Sequence, residues 1–274
     1  PMSHTDQLIL KDKGLDYRVL NLATNTFNEN ETSYYHKSIG GYHAAKLRRY
    51  QEMIEAYINP QMSRIMKAVA DSDGDMTRVN GDSLFPVLNM LNTKYIIVPL
   101  QGGQTVPLLN PYAYGNAWFV DRLTFADNAN QEIERIGQID LRHEAVADKR
   151  FADVLGEAVA QDKNSVAKLL AYEPNQLTYE VSSDKGGVLV FSEVYYPGWT
   201  ATIDGQPAEL GRVNYILRAL RVPAGKHQVK LAFFPKSVDT TETIAYVAYV
   251  VLLLIIVGGL YDTWRRKKNN QTTH

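Results

Sequence analysis

In the first part of the chain, apolar residues fall into short runs that are separated by segments of helical period. The runs at residues 15–23, 94–100 and 117–126 have the length of buried strands, and residues 143–147 form a shorter one. Strands that alternate with helices favour an α/β layer. Residues 1–164 are therefore predicted to form a mixed α/β domain.

The helical segments lie between these runs. Apolar and aromatic residues recur at helical spacing over residues 43–58, and the dipeptide Asn59–Pro60 is predicted to end that helix, with proline opening the next one. Ser83 is a predicted N-cap for the segment that follows it. Two further helices are predicted at residues 130–136 and 150–161.

From about residue 166 the period of the apolar positions changes to two. Polar and apolar residues alternate in "QLTYEVSS" and "KHQVKLAFF", and Asp204–Gly205 is a strong signal for a two-residue hairpin. A further turn is predicted at "VPAGKH". About seven short strands fit this segment, so residues 165–237 are predicted to form a small antiparallel β-sandwich.

The C-terminal apolar segment is long enough to cross a membrane. Residues 243–261 contain nineteen positions without a charge and would span roughly 28 Å as a helix. Aromatic residues flank the segment, and "RRKK" follows it. We predict a transmembrane helix at residues 243–264 and a basic tail at residues 265–274. The alternative is a buried core helix followed by a solvated basic tail.

The basic tail also predicts an orientation. Positively charged residues beside a span favour the cytoplasmic side, which puts the tail inside the cell and the folded residues before the span outside it. The lipid bilayer is therefore one predicted partner. Because the N-terminal residues resemble neither a signal peptide nor a span, we expect this sequence to be the C-terminal part of a longer membrane protein.

Composition excludes several classes of function. The 29 basic and 30 acidic residues give a formal net charge of -1, whereas a nucleic-acid partner requires a strongly basic face. There is no cysteine for a disulfide or a thiol nucleophile, and the six histidines show no metal-ligand spacing. No metal site and no cofactor are therefore expected.

The aromatic segment "SEVYYPGWTATIDGQP" offers one candidate site. Tyr195, Tyr196 and Trp199 could stack on the C–H faces of a sugar ring. Alternatively, Pro197–Gly198 forms a turn and the aromatic rings cover the end of the sandwich core. The structural interpretation is favoured, and sugar contact stays open.

A cationic segment, "SIGGYHAAKLRRY", offers a second candidate. Two glycines before a helix let backbone N–H groups approach an anion, and basic side chains follow within two turns. A polyprenyl-phosphate head group or an acidic polymer would fit there. Alternatively, Arg48 pairs with Glu52 on a solvated helix face. The candidate anion-binding residues are Gly40, Gly41, His43, Lys46, Arg48 and Arg49.

The acidic segment "DSDGDMTRVNGD" resembles a calcium loop only in part. Its carboxylates occupy the spacing of such a loop, but the required central glycine is Met76 and the last ligand is Asp82 instead of glutamate. A solvated acidic loop is favoured. The spacing of the remaining Ser, His and acidic residues suggests no catalytic constellation.

Several segments resemble one family of bacterial membrane proteins. "VFSEVYYPGWTATIDGQPAEL", "NYILRALRVPAGKHQVKLAFFP" and the apolar helix with its basic end are similar to the C-terminus of the YfhO family. "DYRVLNL", "SYYHKSIGGYHAAKLRRYQEMIEAYI", "LNMLNTKYIIV" and "NPYAYGNAWFV" also resemble that family, in versions from Bacteroides-like bacteria. The resemblance covers nearly the whole chain.

The resemblance implies a function that composition alone does not. It implies a many-helix membrane glycosyltransferase of the GT-C type, which takes a sugar from a polyprenyl-phosphate carrier outside the bacterial cytoplasmic membrane. The catalytic carboxylate of that class lies in an early loop, so no residue of this chain inherits a catalytic role. We expect a module that supports binding of the carrier-linked sugar or of an envelope glycan. The alternative is a structural, partner-binding or glycan-binding anchored module with no enzymatic role.

Overall fold

The computed structural model describes residues 2–158, 160 and 164–271. It divides into two compact units, Pro1–Ala232 and Phe233–His274, which are described separately. Within the described residues, the strands of the first unit form three sheets of three, six and five strands. The fold is mixed α/β with several antiparallel strand pairs, which confirms the predicted fold class.

The first unit contains short helices and strands of ordinary length. Its α-helices are α1 (His4–Ile9), α2 (Glu31–Tyr35), α3 (Arg48–Met53), α4 (Asn59–Asp71), α5 (Gly81–Leu84), α6 (Pro86–Met90), α7 (Ala129–Ile136) and α8 (Ala152–Leu155). Its N-terminal strands are β1 (Arg18–Asn21), β2 (Thr93–Pro99), β3 (Thr105–Leu109), β4 (Ala117–Val120), β5 (Arg122–Ala126) and β6 (Glu144–Asp148). The later strands are β7 (Val166–Glu173), β8 (Gln176–Ser183), β9 (Gly187–Val194), β10 (Trp199–Ile203), β11 (Gln206–Ala208), β12 (Leu210–Val213), β13 (Leu217–Val222) and β14 (Gly225–Phe233).

The sheets combine strands that lie far apart in the sequence. The small sheet has the order β1-β2-β3, with β1 parallel and β3 antiparallel to β2. The six-stranded sheet has the order β4-β9-β13-β12-β6-β5, and the five-stranded sheet has the order β11-β10-β14-β8-β7. The six-stranded sheet therefore takes strands from both sides of the predicted boundary at residue 164.

Strand β9 shows how the layers are built. Leu189 and Phe191 belong to the core shared with the five-stranded sheet, whereas Val188 and Val190 belong to the core on the opposite face. Side chains alternate across a strand, so the consecutive apolar residues 188–191 of β9 serve two cores at once. The six-stranded sheet is thus the middle layer, with the other sheet on one face and the helices on the other.

The predicted helix at residues 43–58 is partly wrong. Helix α3 begins at Arg48 instead of residue 43, and the helix does not stop before Pro60. A π-helical turn, Ile54–Ile58, leads directly into α4, and the Asn59 N–H donates to the Ile54 carbonyl. Proline has no backbone N–H to donate, and its ring crowds the preceding turn of a helix. Widening of that turn to π geometry accommodates Pro60 within a continuous helix.

Three further predictions need correction. Ser83 lies inside α5 and its hydroxyl donates to the Asn80 carbonyl, so it does not cap a helix. The run at residues 117–126 forms two strands, β4 and β5, at opposite edges of the six-stranded sheet. The helix predicted at residues 150–161 ends at Leu155, because Gly156 has a φ of 58°. Residues 159 and 161 of that prediction lie outside the described residues.

Other predictions agree with the structure. Strands β1, β2 and β6 and helix α7 lie where the apolar periods indicate. Asp204 and Gly205 form the predicted two-residue turn, with φ values of 50° and 82°, and Ile203 pairs with Gln206 across it. Positive φ at both central residues matches the right-handed twist of a hairpin.

The second unit is a single long helix, α9 (Lys236–Gln271). Its 22-residue segment Thr240–Tyr261 contains an 18-residue window with a mean hydropathy of 2.5, and no residue of that window is buried. At the usual rise per residue it is about 33 Å long, enough to cross the hydrocarbon of a bilayer. Among the described residues, α9 is the one helix that is long and apolar enough to cross a membrane. Residues 272–274 of the predicted basic tail lie outside the described residues.

Candidate functional site

A cavity of about 370 Å³ lies beside the cationic segment identified in the sequence. Four of the six predicted anion-binding residues line it, and Arg48 and Arg49 do not. The cavity combines an apolar wall with basic side chains. Its lining consists of Arg18, Phe27, Lys37, Ser38, Ile39, Gly40, Gly41, His43, Ala45, Lys46, Leu47, Tyr50 and Val194.

The loop that forms one wall is held against β1. The Val19 N–H donates to the Lys37 carbonyl at 2.9 Å, and the Ile39 N–H donates back to the Val19 carbonyl at 3.0 Å. At Gly40, a Cβ atom would lie only 1.8 Å from the Thr26 carbonyl oxygen. This close backbone approach requires glycine and explains why it stands there.

The two glycines do not offer free N–H groups to an anion. The Gly40 N–H donates to the Ser38 hydroxyl at 3.0 Å, and the Gly41 N–H donates to the Thr26 carbonyl at 2.7 Å. The helix also begins only at Arg48, so the predicted arrangement of two glycines directly before a helix N-terminus is wrong. The glycines position the loop, and any contact with an anion has to come from side chains.

The arginines of the segment already have acidic partners. Arg48 Nε lies 2.9 Å from Glu52 Oε1 on an exposed helix face, as the alternative interpretation expected. Arg49 Nη1 lies 3.2 Å from Oε2 of Glu132, a fully buried carboxylate, and its guanidinium stacks on the Tyr215 ring. These ion pairs indicate that Arg48 and Arg49 stabilise the fold and are not free to bind an anion.

Glu132 is the centre of a charged cluster that the sequence did not reveal. Arg212 Nη2 lies 3.1 Å from Glu132 Oε2, and the Tyr215 N–H donates to Glu132 Oε1 at 3.1 Å. Two guanidinium groups and a backbone N–H thus compensate one buried charge, as a fully buried carboxylate requires. This cluster joins α3 and α7 to the turn between β12 and β13.

His43 and Lys46 differ from the arginines. His43 Nδ1 accepts a hydrogen bond from the Ala45 N–H, and Lys46 Nζ lies 5.3 Å from the centre of the Phe27 ring. Within the described part of the chain, neither side chain forms an ion pair with a carboxylate. The groups at the cavity that are open to an anionic ligand are therefore the Lys46 ammonium, which is cationic, and the Nε2–H of the His43 ring, which can donate a hydrogen bond.

A buried network of opposite charges lies next to the cavity. Lys37 Nζ is 3.0 Å from Asp16 Oδ1 and 2.7 Å from Glu193 Oε1, and Arg18 Nη2 is 3.5 Å from the same glutamate oxygen. Arg18 also donates to the carbonyl of Leu91 at 2.7 Å. The sequence analysis did not predict this network. A signal for it is present, because Arg18 in "DYRVLNL" and Glu193 in "VFSEV" are charged residues within apolar strand segments.

The pKa values of the two carboxylates in this network, Glu193 and Asp16, are shifted in opposite directions. Burial acts to raise the pKa of Glu193, but Arg18 and Lys37 outweigh it and hold that pKa below its usual range. Burial raises the pKa of Asp16 despite the lowering effect of Lys37, and repulsion from Glu193 adds to the rise. Glu193 is therefore the carboxylate that keeps the basic pair in place.

The aromatic corner lies mainly against the sandwich core. Tyr195 and Trp199 are partly buried and pack on that core, and the Tyr195 ring meets the Phe151 ring edge-on at 5.9 Å. The Arg218 guanidinium lies 3.8 Å above the Trp199 ring. Tyr196 is 48% exposed. Gly198 has a φ of 101°, so the turn predicted between these aromatic residues is present.

The acidic loop is organised by its own hydrogen bonds. The Asp75 side chain accepts from the Thr77 N–H at 3.0 Å and from the Thr77 hydroxyl at 2.6 Å. Asp71 ends α4, and Asp82 lies in α5. A search of the described residues gives no group of three or more side chains suited to hold a metal ion.

Comparison with known proteins identifies the C-terminal half. The family model described as "Bacterial membrane protein YfhO" matches residues 138–245. This part of the chain is similar to the YfhO family. A protein of Bacillus subtilis (strain 168) named "Uncharacterized protein YfhO" is 24% identical over 132 residues, which are 48% of this chain and 14% of that protein. No solved structure matches the chain.

The YfhO match covers part of the architecture described above. It runs from the residues before β6, through the strands of the sandwich, into the start of α9. The resemblance noted in the sequence is therefore confirmed over residues 138–245. The loop at residues 37–47 lies outside the matched range, so the cavity rests on its own geometry.

Proposed function

We propose that this chain is the extracytoplasmic C-terminal module of a membrane glycosyltransferase that uses a polyprenyl-phosphate-linked sugar. In this proposal the module helps to hold the carrier or the acceptor in a cell-envelope reaction. The chemistry is carried out elsewhere in the protein. The similarity of residues 138–245 to a bacterial membrane protein family and the apolar helix α9 support a site of action at the cytoplasmic membrane.

The cavity beside Lys46 is the observation that carries the proposal. A polyprenyl phosphate joins an apolar chain to an anionic head, and the cavity offers an apolar wall formed by Phe27, Ile39 and Leu47. Lys46 and His43 lie at the same cavity. A charge-assisted hydrogen bond from the Lys46 ammonium favours a phosphate over a neutral alcohol.

The predicted orientation supports the same location. The basic cluster of residues 265–268 follows the span directly, and such clusters favour the cytoplasmic side. The folded unit would then lie on the outer face of the membrane, where glycosyltransferases of the GT-C type use carrier-linked sugars. The uncharged length of the span and the basic cluster together support this part of the proposal.

The experiment compares three probes on the full chain in detergent micelles. Titration calorimetry with farnesyl phosphate, farnesol and inorganic phosphate separates the contributions of the apolar chain and the anionic head. We expect farnesyl phosphate to bind more tightly than either of the others. Equal affinity for farnesol and farnesyl phosphate would contradict the proposal.

A pair of lysine variants locates the site. Lys46→Ala should weaken farnesyl phosphate binding by about tenfold, because one charge-assisted contact is lost. Lys67→Ala removes the same charge from an exposed position on α4 and should leave the affinity unchanged. Equal effects of the two variants would show that the attraction is not specific to the cavity.

A structural or partner-binding role without an enzymatic contribution is the second candidate. It is favoured by the aromatic corner, where Tyr195 and Trp199 pack against the core. It is also favoured by the hydrogen-bonded glycines of the loop. On this account Lys46→Ala would leave carrier binding and envelope glycan transfer unchanged, and cross-linking in membranes would capture a defined protein neighbour.

A further inference from the structure

The first unit contains a second, larger cleft of about 770 Å³ that is unrelated to the sites predicted from the sequence. It lies at the carboxyl end of the parallel strands β1 and β2, where Asn21 ends β1 and Ile97 lies on β2. Clefts at this end of parallel strands are common ligand sites, and the volume lies in the range of about 300–1,000 Å³ that is typical of them. The lining consists of Ser3, Asp6, Asn21, Ala23, Thr24, Asn30, Glu31, Thr32, Tyr34, Tyr35, Ile97, Gly103 and Thr105.

The cleft has an aromatic platform. The Tyr34 side chain is 80% exposed, which is unusual for so large a ring, and it lies at the cleft. The Tyr35 ring meets it edge-on at a centroid distance of 4.8 Å and an interplanar angle of 82°. The contact restricts the ring, and because 80% of the Tyr34 side chain is still exposed, most of the platform is available to a ligand.

A fixed polar frame surrounds the platform. Asn21 Nδ2 donates to the Thr32 hydroxyl at 2.9 Å, and Asn21 Oδ1 accepts from the Ala23 N–H at 3.0 Å. Asp6 accepts from the Ser3 hydroxyl at 2.6 Å and lies 2.9 Å from Nε2 of the buried His36. These bonds fix the orientation of the cleft wall before any ligand binds.

Other polar groups at the cleft are available to a ligand. Among the residues that the structure describes, the side chains of Thr24, Asn30 and Glu31 form no hydrogen bond within the protein, and all three are exposed. Together they provide a hydroxyl, an amide and a carboxylate. Such groups donate to and accept from hydroxyl groups of a ligand.

The charges of the lining decide which ligand fits. Asp6 and Glu31 are acidic, and the described lining contains no lysine or arginine, so a phosphate or an acidic polymer would be repelled. A neutral oligosaccharide has C–H faces for the tyrosine and hydroxyl groups for the polar frame. We propose that this cleft binds a neutral glycan, with Tyr34 as the stacking platform.

This site is independent of the proposed carrier site. The two cavities share no lining residue, and their electrostatic preferences differ in sign. The sequence analysis left sugar contact open as the less favoured interpretation of the aromatic corner, where two of the three rings pack on the core. Tyr34 presents a more exposed ring and lies in a cleft with polar groups around it.

The test uses the full chain in detergent micelles with maltotetraose, cellotetraose and chitotetraose as separate probes. Saturation-transfer NMR detects contact with sugar protons, and calorimetry gives the affinity. We expect saturable binding of at least one probe, with the strongest saturation at ring C–H protons. The absence of saturable binding for all three, or tighter binding of an acidic oligosaccharide such as tetragalacturonate, would overturn the proposal.

Two variants and a matched control place the ligand. Tyr34→Ala should weaken binding by about tenfold, whereas Tyr42→Ala, which removes a tyrosine that is 61% exposed outside the cleft, should not. Glu31→Gln should retain neutral glycan binding and reduce the discrimination against tetragalacturonate. Because Tyr34 is mostly exposed, its variant is expected to fold, and circular dichroism checks this. Unchanged affinity in Tyr34→Ala would overturn the assignment.

Discussion

The guanidinium of Arg18 lies 3.5 Å from the carboxylate of Glu193, and this buried ion pair joins strand β1 to strand β9. It therefore connects the small three-stranded sheet to the six-stranded middle layer. Lys37, on the loop that lines the cavity beside Lys46, places its Nζ 2.7 Å from the same carboxylate. One acidic side chain thus holds two sheets and the cavity loop together.

Glu193→Gln should destabilise the folded unit strongly. The substitution leaves the buried Arg18 and the partly exposed Lys37 with only Asp16 as an acidic partner. The loss of one partner from a buried pair costs about 3 kcal/mol. Urea unfolding of the full chain in detergent, followed by tyrosine and tryptophan fluorescence, measures the free energy of unfolding. Glu209→Gln, at an exposed position of the same sandwich, serves as the control and should change it little. Similar values for the two variants would show that the network adds no stability.

The hairpin that joins β10 to β11 should carry a pH-sensitive contact. His227 Nδ1 lies 2.6 Å from Asp204 Oδ2, and this hydrogen bond raises the pKa of His227 above 6.5 and lowers that of Asp204 below 3.8. The histidine's contribution to stability is fully present below 6.5 and is lost as pH rises through the folded-state pKa. The aspartate's contribution is present above 3.8 and is lost as pH falls through its lowered pKa.

NMR titration of the His227 ring measures this shift directly. We expect a midpoint above 6.5 in the unmodified chain and a return towards 6.5 in Asp204→Asn, where the charged partner is removed. A midpoint that is unaffected by Asp204→Asn would mean that the two side chains do not interact in solution.

Substitutions at the aromatic corner should differ in their effect on stability, because Trp199 packs on the core and Tyr196 is exposed. Trp199 packs on the core and lies under the Arg218 guanidinium, so Trp199→Ala should lower the free energy of unfolding by about 2 kcal/mol. Tyr196→Ala should have a smaller effect, since that ring is 48% exposed. Thermal unfolding of both variants, together with glycan titration, tests this. Intact stability combined with lost glycan binding in Trp199→Ala would restore the sugar-contact interpretation.

Apolar periodicity predicted most of the local structure. The alternation in β8 and β14, the run of β2 and the uncharged length of α9 are each determined by neighbours in the sequence. The Asp204–Gly205 turn was predictable for the same reason, because its positive φ values demand particular residues.

Long-range pairing was not predictable in the same way. The run at residues 117–126 shows no sign that its two halves lie at opposite edges of one sheet, because their partners are distant in sequence. The core beneath β9 likewise combines Val188 and Val190 with helices from the first half of the chain. Whether residues 1–164 and 165–237 fold independently stays a prediction.

In the candidate sites, too, local features were predictable from the sequence and long-range contacts were not. The sequence identified the basic segment that lines the cavity beside Lys46, since residue type and spacing are local properties. It did not identify Glu132 as the partner of Arg49, because the two residues meet only in the folded chain. Tyr34 was missed because a tyrosine within a polar loop gives no local sign of whether its ring is exposed or buried.

The most direct test of the account is the side of the membrane on which the folded unit lies. The chain contains no cysteine, so single cysteines introduced by Tyr42→Cys and Asn270→Cys can be labelled selectively within it. In spheroplasts that express the complete gene product, a membrane-impermeant maleimide should label Tyr42→Cys at once and Asn270→Cys only after permeabilisation. The reverse pattern would contradict the account, because the folded unit would then face the cytoplasm and could not serve an extracytoplasmic transferase.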